Sequence, residues 1–406
     1  MSKVFSLPSR PGAEEPKPTG FSSVEEILAE LRAGRMVIIL DDEDRENEGD
    51  LIMAAAYATP EAVAFMIRHT SGIICVPMEE EWLTRLELPQ MVPANTESYR
   101  TAFTISVDYR HGTTTGVSSA DRSATIRALA SPQSTPADFA RPGHIFPLRP
   151  RRGGVLVRAG HTEAAIDLCK LAGLAPVGVL CEIMNDDGTM ARRSELELFA
   201  KRHNLKIGTI ADLIRYRLRN EHSVARIADH TVQTELGEFR LCAYRDLVNG
   251  LIHVALVRGR LDGAQVPLVR VHIADTLRDL LGVRGESKAW TLRAALERIA
   301  RAQDGVVIVL RDQESPGDLA EALREMVTPA SIAAAAPNAP TAASSPVPTA
   351  TRAAAGAPVL RTYGVGAQIL KDLGVHRMRV LSAPKQMHGI SAFGLEVEAY
   401  VDEDGA

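Results

Sequence analysis

Short, unbroken apolar runs set the frame for this chain. Met36-Val37-Ile38-Ile39-Leu40 contains no polar residue, which is the form of a buried strand. Comparable runs occur at Leu51–Ala54, Ile73–Val76, Val155–Val157 and Val177–Ile183. Helical patterns lie between them, at Glu61–His69, Ser119–Leu129, Glu163–Ala172 and Ser194–Asn204. The alternation predicts an α/β (α+β) fold, a mixed sheet with helices packed on it. The first helix is signalled by Ser23 and Glu26, spaced as a capping box, ahead of Ile27, Leu28 and Leu31. Gly34 ends it.

At 406 residues the chain is too long for one ordinary core, since cores stop growing near ~250–300 residues. The character changes around Glu221–Arg226. Beyond it, Glu238–Tyr244, His253–Val257, Leu268–Val271 and Val306–Leu310 read as strands and Thr291–Ala302 as a helix. Two domains are therefore expected, 21–222 and a smaller α/β domain over 223–406, behind a flexible Pro-, Ser- and Gly-rich tail at 1–20. Residues 329–358 hold 13 Ala and 6 Pro in 30 positions, with Arg352 as the sole charge. Such a composition buries little apolar surface and reads as a disordered insertion. Order is expected again from Tyr363, with a helix at Gly366–Leu373 and a strand at Arg377–Leu381.

Charge and cysteine usage exclude several classes. A net charge of −5 argues against a bulk nucleic-acid or membrane binder. Cys75, Cys169, Cys181 and Cys242 are scattered with no C-x-x-C pair, which disfavours a disulfide-stapled fold and a Cys-rich zinc site. No apolar run reaches the ~18–20 residues of a membrane span, and the Pro-studded N-terminus lacks a signal-peptide core. The expected compartment is the cytoplasm.

Chemistry concentrates in four places. The run Asp41-Asp42-Glu43-Asp44-Arg45-Glu46-Asn47-Glu48-Gly49-Asp50 has seven acidic residues in ten, between two strands. Glu46, Glu48 and Asp50 alternate, which would put them on one face of an extended segment. Crowded carboxylates call for a cation, and hard oxygen ligands suit magnesium or manganese. A solvated acidic loop is the bland alternative. His144 sits in Arg141-Pro142-Gly143-His144-Ile145-Phe146-Pro147-Leu148, after a Pro-Gly turn; a lone His of this kind is more often structural. In Arg158-Ala159-Gly160-His161-Thr162-Glu163, the glycine and the helix start favour an anion. Arg158 and Thr162 then read as phosphate contacts and His161 as a nitrogen ligand to metal. Glu182 interrupts the apolar run ending at Ile183, and a buried carboxylate is costly unless paired or used.

Taken together, DDEDRENEGD, RPGHIFPL, RAGHTEA and CEIMNDDG resemble the 3,4-dihydroxy-2-butanone 4-phosphate synthases of riboflavin biosynthesis. TSGIICVPM (70–78), TAFTISVD (101–108) and TTTGVSSADR (113–122) extend the resemblance over about residues 21–220. It implies conversion of D-ribulose 5-phosphate to 3,4-dihydroxy-2-butanone 4-phosphate and formate, with magnesium or manganese, two ions per site, in a homodimer. It implies Glu46 and His161 as metal ligands and His144 and Glu182 as the residues essential to the chemistry. Substrate contacts would come from Arg45, Glu46, Asp50, Thr115, Arg158, Ala159, Gly160, His161, Thr162 and Glu182. Cys75 is read equally as core and as site border.

The second half resembles GTP cyclohydrolase II through LGEFRLCAYRD (236–246), HVALVRG (253–259), PLVRVH (267–272), LRAALERIA (292–300) and YGVGAQILKDLGV (363–375). That family's three zinc-binding cysteines fall on Asp275, Glu286 and Lys288. A lysine ammonium cannot ligate zinc, so no zinc is expected. The family's Q-E-G-R reads Gln313-Glu314-Ser315-Pro316, its proton-accepting aspartate is Val359 although Arg361 remains, and T-N-N-P shrinks to Ser382-Ala383-Pro384. A chemically inactive domain with a structural or regulatory role is expected. The alternatives are a bifunctional enzyme that also hydrolyses GTP, and a nucleotide- or partner-binding module using Arg270, His272 and Lys385.

Overall fold

A computed structural model describes residues 5–6, 20–261, 265–282, 290–311, 356–382 and 394–402. The chain divides into two compact units with its main boundary between Asn220 and Glu221; Phe5–Ser6 groups with the second unit and the backbone of 356–361 with the first. Phe5–Ser6 (β1) is a short strand within the stretch read as a tail, and it pairs with the last strand of the second unit.

The first unit opens with helix α1 (Val24–Arg32), whose capping box closes in both directions between Ser23 and Glu26. Its apolar face (Ile27, Leu28, Leu31) is buried, at about 1.5–3 kcal/mol per side chain. There follow β2 (Val37–Leu40), β3 (Gly49–Ala54), α2 (Pro60–His69), β4 (Cys75–Pro77), α3 (Glu80–Arg85), β5 (Val107–Tyr109), α4 (Ser119–Leu129) and β6 (Phe139–Leu148). The unit ends with α5 (His161–Leu171), β7 (Gly178–Glu182), α6 (Arg193–His203), β8 (Lys206–Thr209) and α7 (Ile210–Asn220). The seven strands form one mixed sheet in the order β5-β6-β4-β7-β3-β2-β8. Its core includes Ile38, Leu51, Met53, Val76 and Val179, all essentially without solvent contact.

Two local expectations fail here. Val155–Val157 is no strand: Gly154–Leu156 is a 3-10 turn. Gly153 and Gly154 both have positive φ, and the Val155 amide donates to Asp167 Oδ2 at 2.7 Å, so the backbone curls before it can extend. Pro142-Gly143, read as a turn before His144, is not a separate turn either. It lies inside β6, where the ladder steps from Val107↔Ile145 to Asp108↔Ala140 and leaves 141–144 bulged out. Gly143 is needed there, because a Cβ would sit 2.0 Å from the Val107 carbonyl carbon.

The second unit contains β9 (Val224–Thr234), β10 (Gly237–Asp246), β11 (Ile252–Arg258), β12 (Leu268–Ile273), α8 (Leu292–Ala300), β13 (Gly305–Leu310), α9 (Gly356–Asp372), β14 (Arg377–Leu381) and β15 (Glu396–Val401). The eight-stranded sheet has the order β1-β15-β14-β12-β13-β11-β10-β9. Ile369 and Leu370 of α9 share a core with Val269 and Val306, whereas Trp290, Ala295 and Ile299 share another with Leu268 and Val307. Helix α9 begins at Gly356, earlier than the Tyr363 expected from sequence and within the last residues of the Ala/Pro-rich segment. Residues 329–355, Glu286, Lys288, Gln313–Pro316, Ala383, Pro384 and Lys385 lie outside the described residues. Val359 and Arg361 fall within α9.

Candidate active site

The sheet topology collects the candidate residues at one edge. β2 and β7 end there while β3 and β4 begin there, because β3 runs antiparallel to both β2 and β7, and β4 antiparallel to β7. Cys75, the first residue of β4, is level with Leu180 on β7 and Phe146 on β6. Two residues farther out lie Glu182 and His144. Glu182 is directly opposite Asp50, and Asp50 is opposite Ile39. Two strand spacings of about 4.8 Å separate β6 from β7, so His144 and Glu182 approach the edge from points about 10 Å apart.

The acidic run is a loop organised by Asp41, which sequence reasoning did not single out. Asp41 Oδ2 accepts from Arg45 Nη1 (2.8 Å) and the Glu46 amide (3.1 Å), and Oδ1 from the Glu48 amide (2.8 Å). The expected extended alternation of Glu46, Glu48 and Asp50 does not occur, since residues 43–46 form a turn and Asn47 is left-handed at φ 55°. Arg45 also pairs with Glu46 at 2.7 Å and stacks over the Tyr99 ring. Its guanidinium therefore offsets the charge of Asp41 and Glu46 in part.

His161 occupies the first turn of α5, and its ring is fixed by Nε2 donating to the Ile39 carbonyl at 3.1 Å. Nδ1 then faces Asp50 Oδ1 at 3.6 Å and Glu46 Oε2 at 3.8 Å. Ligand atoms of Asp41, Glu46 and His161 all lie within 4.8 Å of one another. Asp50 Oδ1 is buried without a hydrogen-bond partner. Two or three carboxylates, one oriented imidazole and an orphaned oxygen fit a hard divalent cation, with the Ile39 carbonyl orienting the nitrogen ligand.

The electrostatics match this. Burial raises the Asp50 carboxyl to about 8, helped by Glu182, Glu46 and Asp41 and opposed by His161. For His161 burial works downward, but Asp50 and Glu46 outweigh it and hold the imidazole up to about 9. Glu46 resists burial through His161 and Arg45 and is held down to about 2. Glu48 is raised by burial and by Glu46.

His144 belongs to a dyad that sequence reasoning missed. Asp108 Oδ2 accepts from His144 Nδ1 at 2.7 Å, and Oδ1 accepts from the His144 amide at 2.9 Å. A carboxylate at Nδ1 fixes the proton there and leaves Nε2 as the basic nitrogen. Gly116 closes over the pair: a Cβ on it would lie 2.1 Å from Asp108 Oδ2 and 2.8 Å from His144 Nδ1. Asp121 holds that loop by accepting from the Thr114 hydroxyl and the Thr114 and Gly116 amides. Thr115 is exposed on the same loop. The alternation Thr104, Ser106, Asp108 was the available signal for a polar strand face.

Glu182 is half-buried, and its Oε2 accepts from Ser71 Oγ at 2.7 Å. Cys75 is buried, and its thiol is pushed up by burial and then by Glu182, so it borders the carboxylates as an inert packing group. Arg158 is positioned by its ion pair with Glu163 at 2.7 Å and by donating to Thr101 Oγ1 and the Tyr99 carbonyl. Gly160 lets the backbone pass this guanidinium, since a Cβ would be 2.4 Å from Arg158 Nη1. Thr162 is buried beside His161, where the first amides of α5 have no intrahelical acceptor. Ala159 lies between Arg158 and Gly160 in this loop.

In the second unit, His272 Nε2 and Asp279 Oδ2 pair at 2.7 Å, and Asp275 caps the turn 276–280 by accepting from the Arg278 amide. Arg270 donates to the Leu381 and Trp290 carbonyls, a framework role.

Residues 25–216 match the family 3,4-dihydroxy-2-butanone 4-phosphate synthase, and residues 225–402 match GTP cyclohydrolase II. A 3,4-dihydroxy-2-butanone 4-phosphate synthase of Pseudomonas aeruginosa is 49% identical over 380 residues, 94% of this chain and 98% of that protein. The Monofunctional riboflavin biosynthesis protein RIBA 2, chloroplastic, of Arabidopsis thaliana is 47% identical over 95% of this chain and 78% of its own length. The crystal structure of RibBX, a two-domain 3,4-dihydroxy-2-butanone 4-phosphate synthase from A. baumannii, is 43% identical with a TM-score of 0.77, covering 93% of this chain and 99% of that one.

Proposed function

This chain belongs to the 3,4-dihydroxy-2-butanone 4-phosphate synthase family of riboflavin biosynthesis, with a GTP cyclohydrolase II-like domain behind the synthase domain, and from that premise we propose how its site works. The substrate is D-ribulose 5-phosphate, and the products are 3,4-dihydroxy-2-butanone 4-phosphate and formate. The observation that carries the reading is the convergence of Asp41, Glu46 and His161 beside the buried Asp50–Glu182 pair. Glu46 and His161, with Asp41 as a further donor, would hold magnesium or manganese, two ions per site. Such a cation, when bound, supplies positive charge against the charge that develops on substrate oxygens as carbon-bound protons leave.

The protein's own groups do the rest. His144 Nε2 accepts and returns a proton from one side, with Asp108 keeping its ring oriented. Glu182 moves a second proton from the other side, with Ser71 holding one of its oxygens so that the other faces the substrate. Positioned acid–base groups contribute ~10²–10⁴-fold each. The phosphate is received by Arg158, Thr162 and the first amides of α5, with Ala159 and Gly160 giving the backbone close approach. Thr115, Arg45 and Asp50 complete the substrate contacts. The enzyme acts as a homodimer in the cytoplasm, where its four buried free cysteines stay reduced. No helix among the described residues is long and apolar enough to cross a membrane.

The second domain is proposed to be folded but inactive toward GTP, because Cys242 is its sole thiol and is buried in β10. Formate release by the full chain should be assayed separately from ribulose 5-phosphate and from GTP, with metal analysis of the same sample. Turnover of the sugar phosphate only, dependent on magnesium or manganese, is expected. Sustained formate and pyrophosphate release from GTP, or one tightly bound zinc per chain, would replace this reading with the bifunctional one.

A further inference from the structure

The first unit carries a polar cavity, about 340 Å³ in volume, lined by Arg100, Arg149, Arg151 and Arg152 with Glu80 and Gln90 among its walls. That volume falls at the lower end of the ~300–1,000 Å³ typical of small-molecule sites. Four guanidiniums share it with one carboxylate, and that carboxylate is engaged: Glu80 Oε2 lies 3.2 Å from Arg149 Nε. The contact is not a hydrogen bond, and Arg149 Nε is buried with no hydrogen-bond partner.

The cavity is built rather than a chance cluster of surface charges. Arg100 adopts a left-handed backbone at φ 57°, which is unfavourable for a residue with a side chain. The turn is imposed by Glu97, whose carboxylate accepts the amides of Tyr99 (2.9 Å) and Thr101 (2.7 Å). Arg100 Nη1 then donates to the Asn95 carbonyl at 3.1 Å, which aims it along the wall. On the opposite wall the Arg151 amide donates to Glu163 Oε1 at 2.9 Å, tying the Pro150–Arg152 turn to α5. Glu163 is paired with Arg158, Glu97 is not among the lining residues, and the lining itself holds four guanidiniums against one carboxylate, so the cavity is net positive. Guanidinium forks match phosphate oxygens in paired hydrogen bonds, and like charges held this close are relieved by a polyvalent anion.

We propose that this cavity binds a phosphate-bearing small molecule, a phosphate ester or polyphosphate, at a site separate from the substrate site. The proposal does not depend on the reaction assigned above. Arg151 and Arg152 are exposed and their side chains take no part in the catalytic edge, so Arg151→Gln/Arg152→Gln should fold normally. Titrate the full chain with inorganic pyrophosphate by calorimetry in EDTA. Saturable binding is expected, weakened at least tenfold in the double variant and unchanged in Glu46→Gln. Absence of saturable binding, or an equal Kd in the double variant, overturns the proposal. Loss of binding in Glu46→Gln, or a fivefold rise in the double variant's KM for ribulose 5-phosphate, would show the cavity to be part of the substrate site and overturn the separation.

Discussion

Replacing Asp108 by Asn tests whether His144 works as half of a dyad. The carboxylate makes two hydrogen bonds, to His144 Nδ1 at 2.7 Å and to the His144 amide at 2.9 Å. An asparagine oxygen can still take the amide. Its NH₂ must then face Nδ1, which reverses the tautomer and puts a proton on Nε2, where a base is needed. The charge-assisted bond lost is worth ~1.5–3 kcal/mol. At ~1.4 kcal/mol per decade that is roughly 10–150-fold in kcat. The His144 side chain is 46% exposed, so water compensates partly and the lower end, about 10–30-fold, is expected. The assay is formate release from ribulose 5-phosphate between pH 6 and 9, with kcat and KM resolved. A positioning role predicts a fall in kcat with little change in KM. A kcat within twofold of wild type, alongside a His144→Ala variant that has lost most turnover, would refute the dyad.

Glu182→Gln and His144→Ala should each lower turnover by roughly 10²-fold or more while the protein still folds and binds manganese; near-normal rates in both sink the assignment. Gly116→Ala places a methyl 2.1 Å from Asp108 Oδ2 at a backbone φ of +83°, so it should impair kcat as Asp108→Asn does, and full activity would contradict the closed loop. Because His161 is held up to about 9 without metal, manganese must displace its proton below that pH. Affinity should therefore weaken as pH falls from 8.5 to 6.5, and equal dissociation constants by calorimetry would contradict it. A chain ending at Asn220 should retain ribulose 5-phosphate turnover, and deletion of the Ala/Pro-rich residues 329–355 should leave that turnover nearly unchanged, since their composition buries little apolar surface; inactivity of the short chain would show that the second domain is needed.

Much of the frame was legible because it rests on local rules. The Ser23–Glu26 box, the apolar run at 37–40 and the helix at 119–129 depend on capping and periodicity within a few residues. What was not legible depends on distant partners. Val155-Leu156 is apolar enough for a strand, but Asp167, twelve residues on, captures the Val155 amide. Strand β9 (Val224–Thr234) has no fully buried residue and carries no apolar run; in the sheet it pairs with β10, and its Arg226 reaches Asp372 of α9. The candidate metal ligands Glu46 and His161 came from the motifs, whereas Asp41 and Asp108 act by holding neighbours, and their partners become visible only after the sheet brings residues 41 and 48, or 108 and 144, together.

The pairing of β2 with β8 has a consequence for synthesis. β2, at 37–40, supplies the carbonyl that orients His161, yet one of its two neighbours is Lys206–Thr209, more than 160 residues later. On the ribosome the acidic loop thus emerges early but lacks its final scaffold until Thr209 has cleared the exit tunnel. Nascent chains released before that point would carry seven exposed acids and an incomplete sheet, a species for chaperones and proteases, whereas those released after Asn220 would already possess the whole synthase edge.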